Sequence, residues 1–232
     1  MPSAVEVPAA MTVLPDPVPL QNHRLYLQQY LRGIRFSPES VAGRIIEERL
    51  PERYALDPVR PALVLWACAA ANGEIADALP VAAAFDLFDR FLLLHDELTD
   101  ESAATIARWG LGQSLNAGDA FYALAFRTLA SDVLHPDARL DAARLVGESV
   151  LKAIERSEDG GTRSAVLTGA AMRAGAVIAN APEPLVRAFA RAGELLAQGP
   201  ASQALAALPN EIRREDRDAF EEVVRYVARR TA

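Results

Sequence analysis

The sequence predicts an all-α fold, a single-domain helical bundle, and three observations carry that prediction. About half of the 232 residues are hydrophobic, alanine is used heavily, and aromatic residues make up only 6%. Such a composition favours helices over alternating β-branched strands. Apolar positions recur at helical spacing in one segment after another, with short Pro, Gly or Asn breaks between them. No βαβ alternation, internal repeat or glycine-rich phosphate loop interrupts the succession. We therefore expect one domain over residues 21–232, preceded by a flexible tail over residues 1–20.

The tail prediction rests on five prolines among small residues between Met1 and Pro19. His23 to Arg32 reads as the first helix, stopped near Gly33. Ser37, Pro38 and Glu39 form an N-cap followed by Pro at the first helical position, opening a helix that Pro51 interrupts or ends. Asp57 and Pro58 repeat this start signal for a very apolar helix, Val59 to Ala71, terminated by Asn72 and Gly73. Asp77 is placed to cap a long apolar helix through Leu94, whose continuous hydrophobicity marks a central element covered on most sides. Asn116 to Leu134 and Asp137 to Ser157 follow, parted by His135 and Pro136. After the break at residues 158–161, Thr162 or Arg163 to Asn180 is a small-residue helix in which Gly169 and Gly175 permit close helix–helix approach. Pro182 to Pro184 start a helix ending near Gln198, Gly199 and Pro200 break it, and Ile212 to Arg230 is an amphipathic terminal helix. The sum is a bundle of roughly eight to ten helices.

The central helix carries the chemistry. At about 100° per residue, Asp89, Asp96 and Asp100 fall within roughly 20° of one line, with Asp86 about 60° away and Ala82, Phe85 and Leu93 on the same stripe. Carboxylates are costly on a core helix unless a cation compensates them. The spacing leaves two readings open: a solvated or salt-bridged face, or an acid-lined cavity with apolar walls. Oxygen ligands of this kind suit Mg²⁺, which takes one or two carboxylates and completes its shell with water and substrate phosphates.

Other classes are disfavoured. A net charge of −7, with no basic run interleaved with aromatics, argues against nucleic-acid binding. No apolar segment reaches a membrane span, because Asp86 and Asp89 interrupt the longest. The N-terminus lacks the basic region of a signal peptide. The lone Cys68 cannot form an internal disulfide, so a reducing, cytoplasmic location is expected. His23 and His135 sit at helix ends as structural residues, His95 packs beside the acids, Cys68 belongs to the core, and Asp119 is expected as a buried structural acid.

Five segments, in order, resemble the trans-isoprenyl diphosphate synthases, or polyprenyl synthetases. Val59-Arg60-Pro61-Ala62-Leu63 resembles their Arg-Pro helix start, and His95-Asp96-Glu97-Leu98-Thr99-Asp100 their first aspartate-rich motif. Trp109 to Asp119, followed by Leu124-Ala125-Phe126, is similar to their Gly-x-x-x-Ala-x-Asn-x-Gly-Asp helix. Met172-Arg173-Ala174-Gly175-Ala176 and the terminal segment from Leu208 complete the series. The resemblance implies the class I isoprenoid synthase fold, Mg²⁺ as cofactor, and an allylic prenyl diphosphate as the bound substrate. It implies metal ligation by Asp96, Glu97 and Asp100, diphosphate contacts by Arg60 and Arg163, and a cavity wall at Phe91 and Leu92. It also implies a homodimer, or a heterodimer with a related synthase, for which the Gly169 and Gly175 helix and the Leu115 to Leu129 helix are candidate surfaces; ordinary core packing accounts for both equally.

The chain departs from the family where cations and acids should stand. Ala55-Leu56-Asp57-Pro58 replaces the Gly-Lys-Arg before the Arg-Pro pair, Glu101 to Thr105 replaces the paired arginines, and Arg163-Ser164 stands for Lys-Thr. No Asp-Asp pair exists anywhere in the sequence, so the second aspartate-rich motif is missing. These departures set two expectations side by side: a divergent Mg²⁺-dependent prenyltransferase, and a non-catalytic subunit that modulates a full-length partner. A metal-free helical lipid binder is a third.

Overall fold

A computed structural model describes residues 18–34, 39–52, 59–99, 104–133, 136–156 and 160–231. The tail signal, the Ser37–Pro38 and Asp57–Pro58 start signals and Asp100 lie wholly or largely outside them. Among the described residues there are eleven helices and no strand: α1 (Val18–Leu31), α2 (Val41–Glu52), α3 (Val59–Ala70), α4 (Ile75–Thr99), α5 (Ala104–Trp109), α6 (Leu111–Asp132), α7 (Pro136–Glu155), α8 (Gly160–Ile178), α9 (Glu183–Gln198), α10 (Ala201–Ala206) and α11 (Arg214–Thr231). None of them is long and apolar enough to cross a membrane.

The termini follow local chemistry. Ser40 Oγ accepts the Gly43 N–H at 2.9 Å at the start of α2, a side-chain cap on that helix. That helix runs through Pro51 to Glu52 instead of stopping at the proline. Beyond α3, Asn72 takes the left-handed conformation (φ 61°), and the Gly73 and Asn72 amides return to the carbonyls of Cys68 and Ala69 at 2.8 and 2.9 Å. This double return satisfies the last carbonyls of the helix. Asn180 (φ 54°) ends α8 in the same way, through amides of Ala181 and Asn180. Asp77 sits inside the first turn of α4, an acid at the positive end of the helix dipole.

The 25 residues of α4 form the axis of the bundle, and every residue from Pro80 to Arg90 is buried. It packs on α3 and α6, while α8 packs on α3, α7 and α9. Among the described residues, two large apolar clusters result. One joins α1, α2, α4, α6 and α7 to one side of α3 and α8. The other fills the opposite side of α3 and α8 with α9, α10 and α11, centred on Trp66 between Phe189 and Phe220. The shared wall is tight: a Cβ on Gly175 would overlap the Val64 carbonyl oxygen and stand 2.9 Å from both Ala67 Cβ and Cys68 N. Gly169 and Gly193 meet at the α8–α9 crossing, where a Cβ on Gly193 would lie 2.6 Å from the Thr168 carbonyl oxygen. Gly169 and Gly175 of α8 therefore serve internal packing. On α6, Leu115 and Tyr122 remain exposed.

Candidate functional site

Each described acid of the α4 stripe meets an arginine, and the depth of the acid decides what the pair can do. Asp86 and Arg90, four residues apart on one helix face, form a fully buried pair at 2.6 Å. Arg90 also donates to the Arg49 carbonyl at 2.6 Å. Asp89, buried, is paired with Arg60 of α3. These two carboxylates are tolerated in the core because guanidinium groups replace the water they lose. The predicted diphosphate contact Arg60 is thus seated on Asp89, between α3 and α4.

Toward the C-terminal end of α4 the stripe reaches solvent. The Asp96 side chain is 47% exposed and is met by Arg163 from the first turn of α8. Arg163 Nη1 donates to Oδ1 at 2.9 Å and Nη2 to Oδ2, a two-point contact between planar groups. This hydrogen bond raises the Arg163 pKa above its already high ordinary value, against the opposing effect of partial burial. The structure brings together a residue predicted for metal binding and one predicted for the diphosphate, although 67 positions separate them.

One turn deeper the same two helices present an apolar layer. Leu92, four residues before Asp96, and Leu167, four after Arg163, are buried together with Ala153 of α7. Phe91 packs against this layer and also reaches α6, with ring centroids 4.4 Å from His95 and 5.3 Å from Tyr122. The two residues predicted as cavity wall therefore border one apolar layer. His95 Nδ1 lies 3.0 Å from the Phe91 carbonyl oxygen, and its ring occupies the space a side chain on Gly118 would need. Asp119 is 73% exposed with Oδ1 3.7 Å from His95 Nε2. It is not the buried structural acid expected: Gly118 is the α6 residue turned inward here, and Asp119 follows about 100° around the helix.

Glu97 points elsewhere. Arg49 Nη1 and Nη2, from α2, donate to its two oxygens at 3.1 and 2.8 Å, and the buried Thr105 Oγ1 of α5 donates at 2.9 Å. Arg49 and Thr105 carry no sequence signal linking them to the motif.

Asp96 fits an Mg²⁺ ligand: it is an exposed carboxylate beside a cation able to share a diphosphate. Asp100, four positions later in the sequence, lies outside the described residues. Glu97 does not fit, since three donors already occupy its oxygens. Among the described residues no group of three or more His, Cys, Asp or Glu converges on one point.

A family model described as polyprenyl synthetase matches residues 57–160. The chain is 33% identical over 161 residues to a geranylgeranyl diphosphate synthase of Mycobacterium tuberculosis, covering 59% of this chain and 46% of that protein. It spans about half the length of the curated relatives it matches. Its backbone resembles a mint deletion mutant of heterotetrameric geranyl pyrophosphate synthase, with TM-score 0.76, 16% identity and coverage of 88% and 98% of the two chains. It also resembles a geranyl diphosphate synthase small subunit from Antirrhinum majus, with TM-score 0.64, 17% identity and coverage of 91% of each chain.

Proposed function

We propose that the chain is a member of the polyprenyl synthetase, or trans-isoprenyl diphosphate synthase, family and that it binds an allylic prenyl diphosphate at the mouth between α4 and α8. The observation that carries this reading is the Asp96–Arg163 pair, set one turn above the Leu92–Leu167 layer. Head-group chemistry and an apolar layer stand in the order an amphiphilic diphosphate needs.

Asp96, with Asp100 beyond it, would hold Mg²⁺. Bound there, the ion would supply Lewis-acid stabilisation of the charge that develops on the departing diphosphate. Arg163 already holds a carboxylate through two donors, and the same fork suits a phosphate. Its exchange from Asp96 to substrate is inexpensive, because a half-exposed ion pair contributes only about 0–1 kcal/mol. Leu92 and Phe91 would bound the isoprenoid chain and keep water from the allylic carbon. The acceptor would be isopentenyl diphosphate. Arg60 would act on the diphosphate through its hold on α4 at Asp89.

A second reading, a subunit that modulates a full-length synthase without its own turnover, draws support from two observations. The helix that crosses α8 on its far side, α9, carries only Glu183 and Glu194 as acids, and Glu194 is paired with Arg191 at 3.1 Å. The small-subunit structure is also matched along nearly its whole length.

Incubation with Mg²⁺, geranyl diphosphate and isopentenyl diphosphate, with and without a full-length synthase from the same genome, separates them. Product from the chain alone that disappears in Asp96→Ala supports the enzyme. Product only with the partner, unaffected by Asp96→Ala, supports the subunit. No product in either arm and no binding of geranyl diphosphate would overturn both.

A further inference from the structure

We infer that Glu97 is a positioning residue rather than a metal ligand: with Arg49 and Thr105 it clamps α2 and α5 onto the last turns of α4 and so sets the direction of Asp96. The inference rests on the reading of Asp96 as a diphosphate–metal residue, and three observations carry it.

First, the Glu97 carboxylate is already engaged by two guanidinium donors at 3.1 and 2.8 Å and a buried hydroxyl at 2.9 Å. Arg49 Nη2 also reaches Thr105, closing a three-membered ring of polar contacts. Turning Glu97 to an ion would break its contacts with Arg49 and Thr105 together. Second, adjacent residues on a helix diverge by about 100°, so Asp96 and Glu97 cannot both face Arg163 without unwinding the turn. Third, the clamp is anchored behind. The Arg49 carbonyl accepts from Arg90, itself locked to Asp86, and the neighbouring Glu48 accepts from Arg108 of α5 at 2.6 Å. Contacts therefore lie on both sides of the α4–α5 connection that contains Asp100, from Glu97 before it and from Thr105 and Arg108 after it. A rigid frame of this kind fixes ligand orientation without contributing a ligand.

The test uses the full chain, with Mg²⁺ and inorganic pyrophosphate as the probe. Arg49→Met and Glu97→Gln are each expected to weaken Mg²⁺–pyrophosphate binding by roughly tenfold. The double variant should be no worse than either alone, because all three break one clamp. Asp96→Asn is expected to abolish binding. Loss in Glu97→Gln as complete as in Asp96→Asn, with Arg49→Met unaffected, would make Glu97 a ligand and overturn the inference.

A second readout needs no metal. Hydrogen exchange of the amides in 95–99 and 104–109 should accelerate in both single variants, and unchanged exchange would overturn the clamp. Thr105→Val, which removes one hydroxyl and keeps the shape, stands in should the charge variants fail to fold. It should speed exchange in the same segments, and no change in it would overturn the clamp equally. If the wild-type chain binds no Mg²⁺–pyrophosphate, the functional reading fails, and the exchange result alone upholds or overturns the clamp.

Discussion

Replacing Gly175 by alanine tests the shared wall on which both cores depend. The added Cβ would overlap the Val64 carbonyl oxygen and stand 2.9 Å from Ala67 Cβ and Cys68 N. Two of these three atoms belong to the α3 backbone, so no rotamer change can make room, and the helices must part by a substantial fraction of an ångström. Overpacking of this kind costs about 1–3 kcal/mol, with backbone collisions at the upper end or beyond it. Alanine recovers up to about 1 kcal/mol of helix propensity, leaving a net loss of about 2 kcal/mol. For a chain of this size that corresponds to a fall in Tm of roughly 4–8 °C. Calorimetry with a urea titration measures it. Gly112→Ala is the control, because nothing lies within 4 Å of the Cβ it would add; it should hold or raise the Tm. A Gly175→Ala protein as stable as the wild type would refute the close α3–α8 crossing and the two-core arrangement built on it.

Three further outcomes follow from individual side chains. Burial lowers the His23 pKa to about 4; the unfolded imidazole takes up its proton near pH 6.5 and the folded one does not. Stability should therefore fall as the pH drops from about 6.5 to 4, by at most about 1.4 kcal/mol per pH unit, and His23→Leu should flatten that limb in a urea-melt series. Burial first, then the charges of Asp77 and Glu74, push the Cys68 thiol up to about 12. Ellman's reagent at pH 8 should then label Cys68 only on unfolding, and rapid labelling of the native chain would contradict its place in the core. Leu92→Ala should cost about 2–5 kcal/mol, as for other buried leucines, and should favour longer over shorter allylic diphosphates in binding competition; an unchanged preference would remove Leu92 from the chain-binding wall.

What the sequence made legible was local. Asn72 and Gly73 announced the end of α3 because a left-handed residue there needs asparagine or glycine. Gly169 and Gly175 predicted close crossings, which α9 and α3 supply. The helices α5 and α10, six residues each, escaped because less than two turns cannot display a period, and α6 begins five residues earlier than its strongest apolar repeat. At the site, the stripe of acids was readable from 100° arithmetic, but its partners were not. Arg49, Arg60 and Arg163 lie 48, 29 and 67 positions from the acids they meet, and only tertiary packing chooses among two dozen basic residues. That choice turns one uniform-looking motif into two buried structural pairs, a clamp at Glu97 and an exposed carboxylate at Asp96.

Titration of the wild-type chain with geranyl diphosphate, with and without Mg²⁺, beside Asp96→Ala and Arg163→Ala, tests the central claim most directly. Binding should require Mg²⁺ and be lost in Asp96→Ala, and it should weaken by more than tenfold in Arg163→Ala, as loss of a charge-assisted contact of about 1.5–3 kcal/mol demands. Binding that ignores Mg²⁺ and survives both substitutions would contradict the assignment of the α4–α8 mouth as the diphosphate site.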